Sequence, residues 1–450
     1  MNYIIKVFLT TIIVSNLHAQ EADFAFTNVN VISMENDQII PNQTVLISAG
    51  KILSIGNSQD ISTIASGRIV DGTGKFLMPG IAEMHAHIPG NQNGTELVEE
   101  TLFLYLSNGI TLIRGMLGQP YHLELKKEVL NGEVMGPRIY TSGPSINGNS
   151  VRSIAEAESR VKAQKEAGYD FLKMHPGLTL ENFNAVVKTA DEVGIPFAGH
   201  VSIDVGIRRA IEAKYASIDH VDGYLEGLVS GKDPNSNGFF GLEFTDFADE
   251  KQISGLVQAT KENNIWIVPT QVLMEQWVGP KPAEELSILP EMKYMNKRTV
   301  AAWINTKNGV LNDPNYNAEK GEKFNEIRRN IMRALHEAGV GFLLGSDAPQ
   351  VFNVPGFSIQ REMQSMSKAG FSNYDIIKSG TVNPALYFGD EGKYGMVKAG
   401  FSADLILVDQ NPLDDIENME KQSGVMVRGK WLSAEFIQNK LEDIAKKYDN

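Results

Sequence analysis

Cysteine is absent from the 450 residues. The chain therefore has no disulfide, thiol nucleophile or thiolate metal site. It also lacks the cysteine that bacterial lipoprotein anchoring would need. Any transition metal must be held by imidazole and oxygen ligands. Basic charge is in deficit, with 41 Lys and Arg against 55 Asp and Glu and a net charge of −14. That balance argues against nucleic acid or anionic lipid as a partner. Beyond the first twenty residues there is no apolar run near the roughly 20 residues that a membrane helix needs. Low-complexity tracts are also lacking. Histidine is scarce, eight in all, so places where histidines gather carry weight.

What is present begins with residues 1–19, which read as a signal peptide. Lys6 gives the positive start, Val7 to Val14 a short apolar stretch, and Leu17-His18-Ala19 a small-residue cleavage site. The competing readings are a buried N-terminal strand or an uncleaved anchor. Cleavage predicts an exported protein, periplasmic or secreted, with no integral membrane segment. Homo-oligomerisation is left open.

Three regions follow. In 20–77, Thr27-Asn28-Val29-Asn30-Val31-Ile32 alternates polar and apolar residues, and turns such as Ala49-Gly50 separate further short strands. In 78–390, short apolar runs alternate with helical stretches, the rhythm of βα units on a parallel sheet. Eight strands are expected: Ile81–His87, Ile110–Met116, Arg138–Gly143, Asp170–His175, Ile195–His200, Ala216–His220, Ile265–Thr270 and Gly341–Asp347. That count predicts a (β/α)8 TIM-type barrel. Helices are clearest at Arg152–Ala167 and Asn325–Ala338, each closed by Ala-Gly. Strands return in 391–435. Together with 20–77 they should form one small composite β-sandwich domain. Residues 436–450 read as a charged amphipathic surface helix. The long stretch Gln271–Asn325, carrying Trp277, Tyr294, Trp303 and Tyr316, is either a cap over the barrel mouth or a helical pair packed outside it.

The sharpest local signal is Met78-Pro79-Gly80-Ile81-Ala82-Glu83-Met84-His85-Ala86-His87. His85 and His87 are two apart on a strand and share a face. At the C-terminal end of a barrel strand they point where barrel enzymes place catalytic groups, and two converging imidazoles suit Zn²⁺ or a similar ion. Alone the pair is weak. However, Lys173 falls in strand four, His200 ends strand five, His220 ends strand six and Asp347 ends strand eight. One such histidine is most simply a core residue; the set points to a metal site.

In these residues the chain resembles the amidohydrolase superfamily of metal-dependent hydrolases, in particular its exported imidazolonepropionase-like and Xaa-Pro dipeptidase-like members. The resemblance also rests on Val70-Asp71-Gly72-Thr73-Gly74-Lys75, Ala198-Gly199-His200-Val201, Ile218-Asp219-His220, Leu344-Gly345-Ser346-Asp347-Ala348 and Gly395-Met396-Val397-Lys398-Ala399-Gly400. It implies that His85 and His87 bind one metal with Asp347, that His200 and His220 bind a second, and that Lys173 bridges both. A protonated lysine has no lone pair; in the family it is carboxylated. Lys173 as a salt-bridging residue beside a single metal is the alternative. The resemblance further implies hydrolysis by a metal-bound hydroxide, with one or two zinc ions, Asp347 as general base and then acid, and His220 contacting the oxyanion.

Substrate contacts are less defined. Arg114 either binds a substrate carboxylate or forms a structural ion pair. Tyr224 is placed at the mouth. His175 either hydrogen-bonds substrate or packs beside the metals. Related sequences carry a longer Gly- and His-rich loop after strand three, where Pro144–Ser150 is short and has no histidine. The expected function is hydrolysis of a C–N bond in a small molecule, a peptide-like or cyclic amide, with a dipeptide foremost. A lactonase, esterase or deaminase on the same centre is the nearest rival. A non-catalytic exported binding protein on a former enzyme barrel would need a missing ligand, and none of the six is missing.

Overall fold

The alternation expected in the N-terminal segment is realised as β1 (Phe24–Ile32), β2 (Ile39–Ser48), β3 (Lys51–Asn57), β4 (Arg68–Asp71) and β5 (Phe76–Pro79). This computed structural model describes residues 22–59, 67–92, 94–230 and 240–449; the expected signal peptide lies outside the described residues. The last strands are β13 (Leu405–Val408), β14 (Gln422–Val427) and β15 (Lys430–Ser433).

The two terminal segments join in one eight-stranded sheet, ordered β15-β14-β13-β5-β1-β2-β3 with β4 also on β1. The join is antiparallel, with Met78 opposite Ile406. The hydrogen bonds of this unit run as one continuous sheet, β1 taking β4 along Phe24–Thr27 and β5 along Asn30–Val31. One face buries Phe24, Phe26, Leu77, Leu405 and Met426, with Trp431 set edge-on to Phe26.

Gly80 links β5 directly to the central region. There the strands are β6 (Ile81–Ala86), β7 (Ile110–Gly115), β8 (Arg138–Thr141), β9 (Leu172–Met174), β10 (Phe197–Gly199), β11 (Ser217–Asp219) and β12 (Trp266–Val268). They form two parallel sheets, β6-β7-β8 and β12-β11-β10-β9. The fold is mixed α/β, and the ladders do not close into the single barrel expected from the sequence. Isolated parallel bridges occur between Ser142 and Phe171, Ile267 and Phe342, and Ala86 and Ala348. The eighth expected strand, Gly341–Asp347, is extended chain without a regular ladder. Leu343 N donates to Ile267 O and Asp347 N to His85 O, but Leu344 N turns to Ser379 O. Ser346 N is taken by the Glu83 side chain, so the regular alternation of backbone bonds is lost.

Helices connect the strands as the capping signals foretell. Ile154–Ala167 starts where Ser153 accepts from Glu156 N, and ends at Gly168 with φ 89°, a left-handed stop that glycine adopts without strain. The helix expected at Asn325–Ala338 is longer, Ala318–Glu337, because Asn317 caps it by accepting from Lys320 N. The insertion contains helices Gln271–Trp277, Ala283–Ser287 and Lys297–Leu311. It is anchored by Tyr294 stacked on Phe357 and by Trp303 beside Phe352. The C-terminal helix, Ala434–Asp449, buries Ile437, Leu441 and Ile444, and Lys447 pairs with Glu100 at 2.6 Å.

Candidate metal centre

The chemistry-bearing side chains lie at the C-terminal ends of the parallel strands. His85 is on β6 and His87 just beyond it. Lys173 is on β9. His200 and His220 are the residues immediately after β10 and β11. Asp347 follows the extended segment beside β6. Within β10, Gly199 has a φ of 123°. A Cβ there would meet Met174 O at 2.5 Å and Lys173 Cδ at 2.9 Å, so only glycine lets β10 pass Lys173.

These six side chains form one connected cluster. Ligand atoms of His85, His220 and Asp347 lie within 4.8 Å of one another. His87 Nε2 is 2.6 Å from Asp347 Oδ1, and Lys173 Nζ is 3.2 Å from His85 Nε2. The ring centroid of His220 stands 4.5 Å from that of His85 and 4.3 Å from that of His200. His85, Lys173, His200, His220 and Asp347 are buried, and His87 is partly open. His220 and Asp347 both have positive φ, 63° and 62°, a conformation that non-glycine residues adopt at a cost.

The outer nitrogens are held from behind. His85 Nδ1 lies 2.8 Å from Asp219 Oδ2, although it is not aligned as a hydrogen bond. His200 Nδ1 is 3.1 Å from Asp222 Oδ2, and His220 Nδ1 is 2.8 Å from Thr270 Oγ1. Such partners orient a metal-binding imidazole and fix its tautomer. Glu83 braces the same corner from below. It accepts from Ser346 N at 2.7 Å, Ser346 Oγ at 2.6 Å and His85 N at 3.1 Å. None of Asp219, Asp222, Thr270 or Glu83 was singled out from the sequence. The signal was there for three of them: Asp219 and Asp222 bracket His220, and Glu83 shares the strand parity of His85.

The electrostatics follow from burial. Burial, and then the Lys173 charge, hold His85 far below the usual imidazole range. Burial and His200 do the same to His220. Burial would raise Asp347, but His85 and His87 more than offset it, so the carboxylate stays ionised well below its ordinary range. Burial brings Lys173 down to about 8. Buried His85 and His220 are thus neutral imidazoles beside the Asp347 carboxylate, the donor chemistry a divalent cation needs. His220 Nε2 and His87 Nδ1 are buried without a hydrogen-bond partner. Such orphaned atoms each cost about 1–3 kcal/mol unless something satisfies them, and the residues present fit a bound cation.

The three expected substrate contacts are placed differently. Arg114 is wholly buried, its Nη2 donating to both Asp219 oxygens at 3.0 Å, so of its two readings the structural ion pair is the one observed. Tyr224 is also buried, its hydroxyl 2.7 Å from Thr260 Oγ1; it does not line the mouth. His175 stays beside the cluster, with its ring 4.8 Å from that of His200. Burial, then His200, lower it to about 3. An aromatic wall was not expected: Phe240 stands 5.8 Å from the His200 ring and 5.7 Å from that of His220, with Trp277 at 6.3 Å from Phe240. The insertion, through Trp277, packs behind Phe240.

The sequence model of the amidohydrolase family matches residues 76–432. The chain belongs to the amidohydrolase family. Ochratoxinase of Aspergillus niger is 22% identical over 425 residues, covering 85% of this chain and 81% of that protein. Two solved structures share the fold. One is a Xaa-Pro dipeptidase with bound methionine in the active site, with TM-score 0.67, 20% identity, and coverage of 91% of this chain and 99% of that one. The other is a bottromycin amidohydrolase, with TM-score 0.69, 19% identity, and coverage of 94% and 90%. This amidohydrolase is accordingly a hydrolase acting on C–N bonds, in a family generally dependent on metal. Among the described residues, no helix is long and apolar enough to cross a membrane.

Proposed function

We propose that this amidohydrolase cleaves a peptide-like or cyclic amide of a small molecule, a dipeptide foremost, at a zinc centre formed by His85, His87, Lys173, His200, His220 and Asp347. The observation that carries the reading is the convergence of His85, His220 and Asp347 ligand atoms within 4.8 Å, with the His220 Nε2 buried and unpartnered. Two ions are favoured, because His200 extends the cluster beyond that triad. Carboxylation of Lys173 belongs to the same reading: burial favours its neutral amine, the form that can react with CO2, and the protonated side chain cannot be a ligand. The bridges at Ser142–Phe171, Ile267–Phe342 and Ala86–Ala348 support reading the two parallel sheets and the 341–348 segment as staves of one (β/α)8 barrel. Export through residues 1–19 completes the proposal.

When bound, zinc would supply Lewis acidity toward the scissile carbonyl and bring the pKa of water to about 7. The chain's own residues then divide the work. The ionised Asp347 carboxylate accepts the proton of the attacking water at an Oδ and passes it to the departing nitrogen. His220, held at Nδ1 by Thr270, turns its other nitrogen to the centre as a ligand. Phe240 closes the His200–His220 side against solvent and offers an apolar surface to the substrate.

A library of dipeptides, cyclic amides and lactones, screened with zinc-loaded protein and a chelator-treated control, tests this. Amide turnover lost with the metal is expected, with about two zinc ions per chain by elemental analysis. Turnover of esters alone, or amide turnover untouched by chelation, would overturn it.

A further inference from the structure

The geometry points to Thr270 as the residue that decides which nitrogen His220 turns toward the metal centre, an inference resting on the metal-centre reading above. Thr270 follows β12 after Pro269 and is completely buried. Its φ of 42° and ψ of 40° put a β-branched side chain in the left-handed region. Such strain costs about 1–3 kcal/mol and persists only where the surroundings over-determine it.

The surroundings do so here. The next residue, Gln271, accepts from Arg328 Nε at 2.9 Å and donates to Asn325 Oδ1 at 2.9 Å. Val272 N donates to Glu362 Oε2 at 2.7 Å. Arg328 and Asn325 come from helix Ala318–Glu337 and Glu362 from helix Ser358–Lys368, all three buried. Two helices outside the strands thus lock the turn.

What the locked turn delivers is the Thr270 hydroxyl, 2.8 Å from His220 Nδ1. His220 is itself tied to the same strand end, its N donating to Val268 O at 2.7 Å. A neutral imidazole carries one N–H and one lone pair. A hydroxyl that accepts from Nδ1–H leaves the lone pair on Nε2, the buried atom that has no hydrogen-bond partner. His85 and His200 face carboxylates at the same atom, Asp219 and Asp222. Thr270 gives His220 a neutral hydrogen-bond partner at Nδ1, where the nearest carboxylate oxygen, Asp347 Oδ2, stands off at 3.8 Å. It is a positioning residue, since it acts only through His220.

The test uses the full chain. Zinc affinity is measured by chelator competition for the parent, Thr270→Val, which keeps the branched shape and loses the hydroxyl, and Thr270→Ser, which keeps the hydroxyl. Loss of about 10–100-fold in affinity is expected for T270V, with T270S close to the parent and the Co²⁺ absorption spectrum altered only in T270V. Parent-like affinity and spectrum in T270V overturn the role of Thr270 alone; a parent that takes up no zinc overturns the metal reading with it. ¹⁵N NMR of the histidine-labelled, zinc-loaded parent reads the tautomer without any variant. His220 protonated at Nδ1 is expected, and protonation at Nε2 would refute the assignment.

Discussion

Arg114 holds both oxygens of Asp219 at 3.0 Å with neither side chain open to solvent. Its Nε donates to Met84 O at 2.6 Å, and its Nη1 to Ser217 Oγ and Tyr387 Oη. Through Asp219 this network reaches His85, so of the two roles its sequence position allows, Arg114 takes the structural one and braces the floor of the centre.

Arg114→Met leaves the Asp219 charge buried beside a neutral neighbour. A loss of about 3–5 kcal/mol is expected, the usual penalty for breaking a buried pair by removing one partner. Urea unfolding of the apo chain measures it. Arg114→Lys should recover only part, because a point charge cannot reproduce the planar fork. A change near zero for R114M would contradict the structural role.

Asp347→Asn should keep the fold and the burial while removing the proton carrier. A fall in kcat of about 10²–10⁴-fold is expected, with a circular dichroism spectrum matching the parent. Near-native turnover would take Asp347 out of proton transfer.

Removing metal should lower thermal stability as well as activity. A ligand that binds only the folded state stabilises it by about 4 kcal/mol at a thousandfold excess over Kd. Dialysis against a strong chelator should therefore depress the Tm, and zinc should restore it. An unchanged Tm would mean that the cluster holds no ion tightly.

Glu362 gives a pH-dependent signature. Burial raises its carboxyl to about 8, with Glu275 and Glu83 adding to the rise. Unfolded, it ionises near 4.5. Between those values the unfolded chain binds fewer protons, so stability is full below about 4.5 and falls as pH rises toward 8, by up to about 1.4 kcal/mol per pH unit. Glu362→Gln removes this titration. Unfolding at pH 5, 6, 7 and 8 should show the variant gaining on the parent as pH rises; a constant gap would contradict the burial argument.

What could be read from sequence was whatever a strand or a short motif carries by itself. His85, His87, His200, His220, Lys173 and Asp347 were legible because strand ends converge in a parallel architecture and strand ends are marked by local pattern. That the two terminal segments join in one β unit was legible from the short strands in each; the antiparallel direction of the join was not. Long-range partners were not. Asp219 and Thr270 matter because of which nitrogen they face, and Arg114 because of what lies across from it; spacing encodes neither. The eighth strand was misjudged as regular because Ser346 N bonds a side chain, Glu83, and nothing in its own run of residues announces that substitution. Tyr224 was misplaced because Val221 and Gly223 both have positive φ, and the chain turns inward after His220.

The seam between β5 and β13 sets an order of events. Lys75 meets Asp409 across 334 positions of chain, and Met78, three residues before the first βα unit, pairs with Ile406. The opening strands of a nascent chain must therefore wait for almost the last segment to emerge before their sheet can be completed. Until then the apolar face of β1 and β5 lacks the cover of Leu405, Leu407 and Met426, and a chain ending before residue 400 would expose it to self-association.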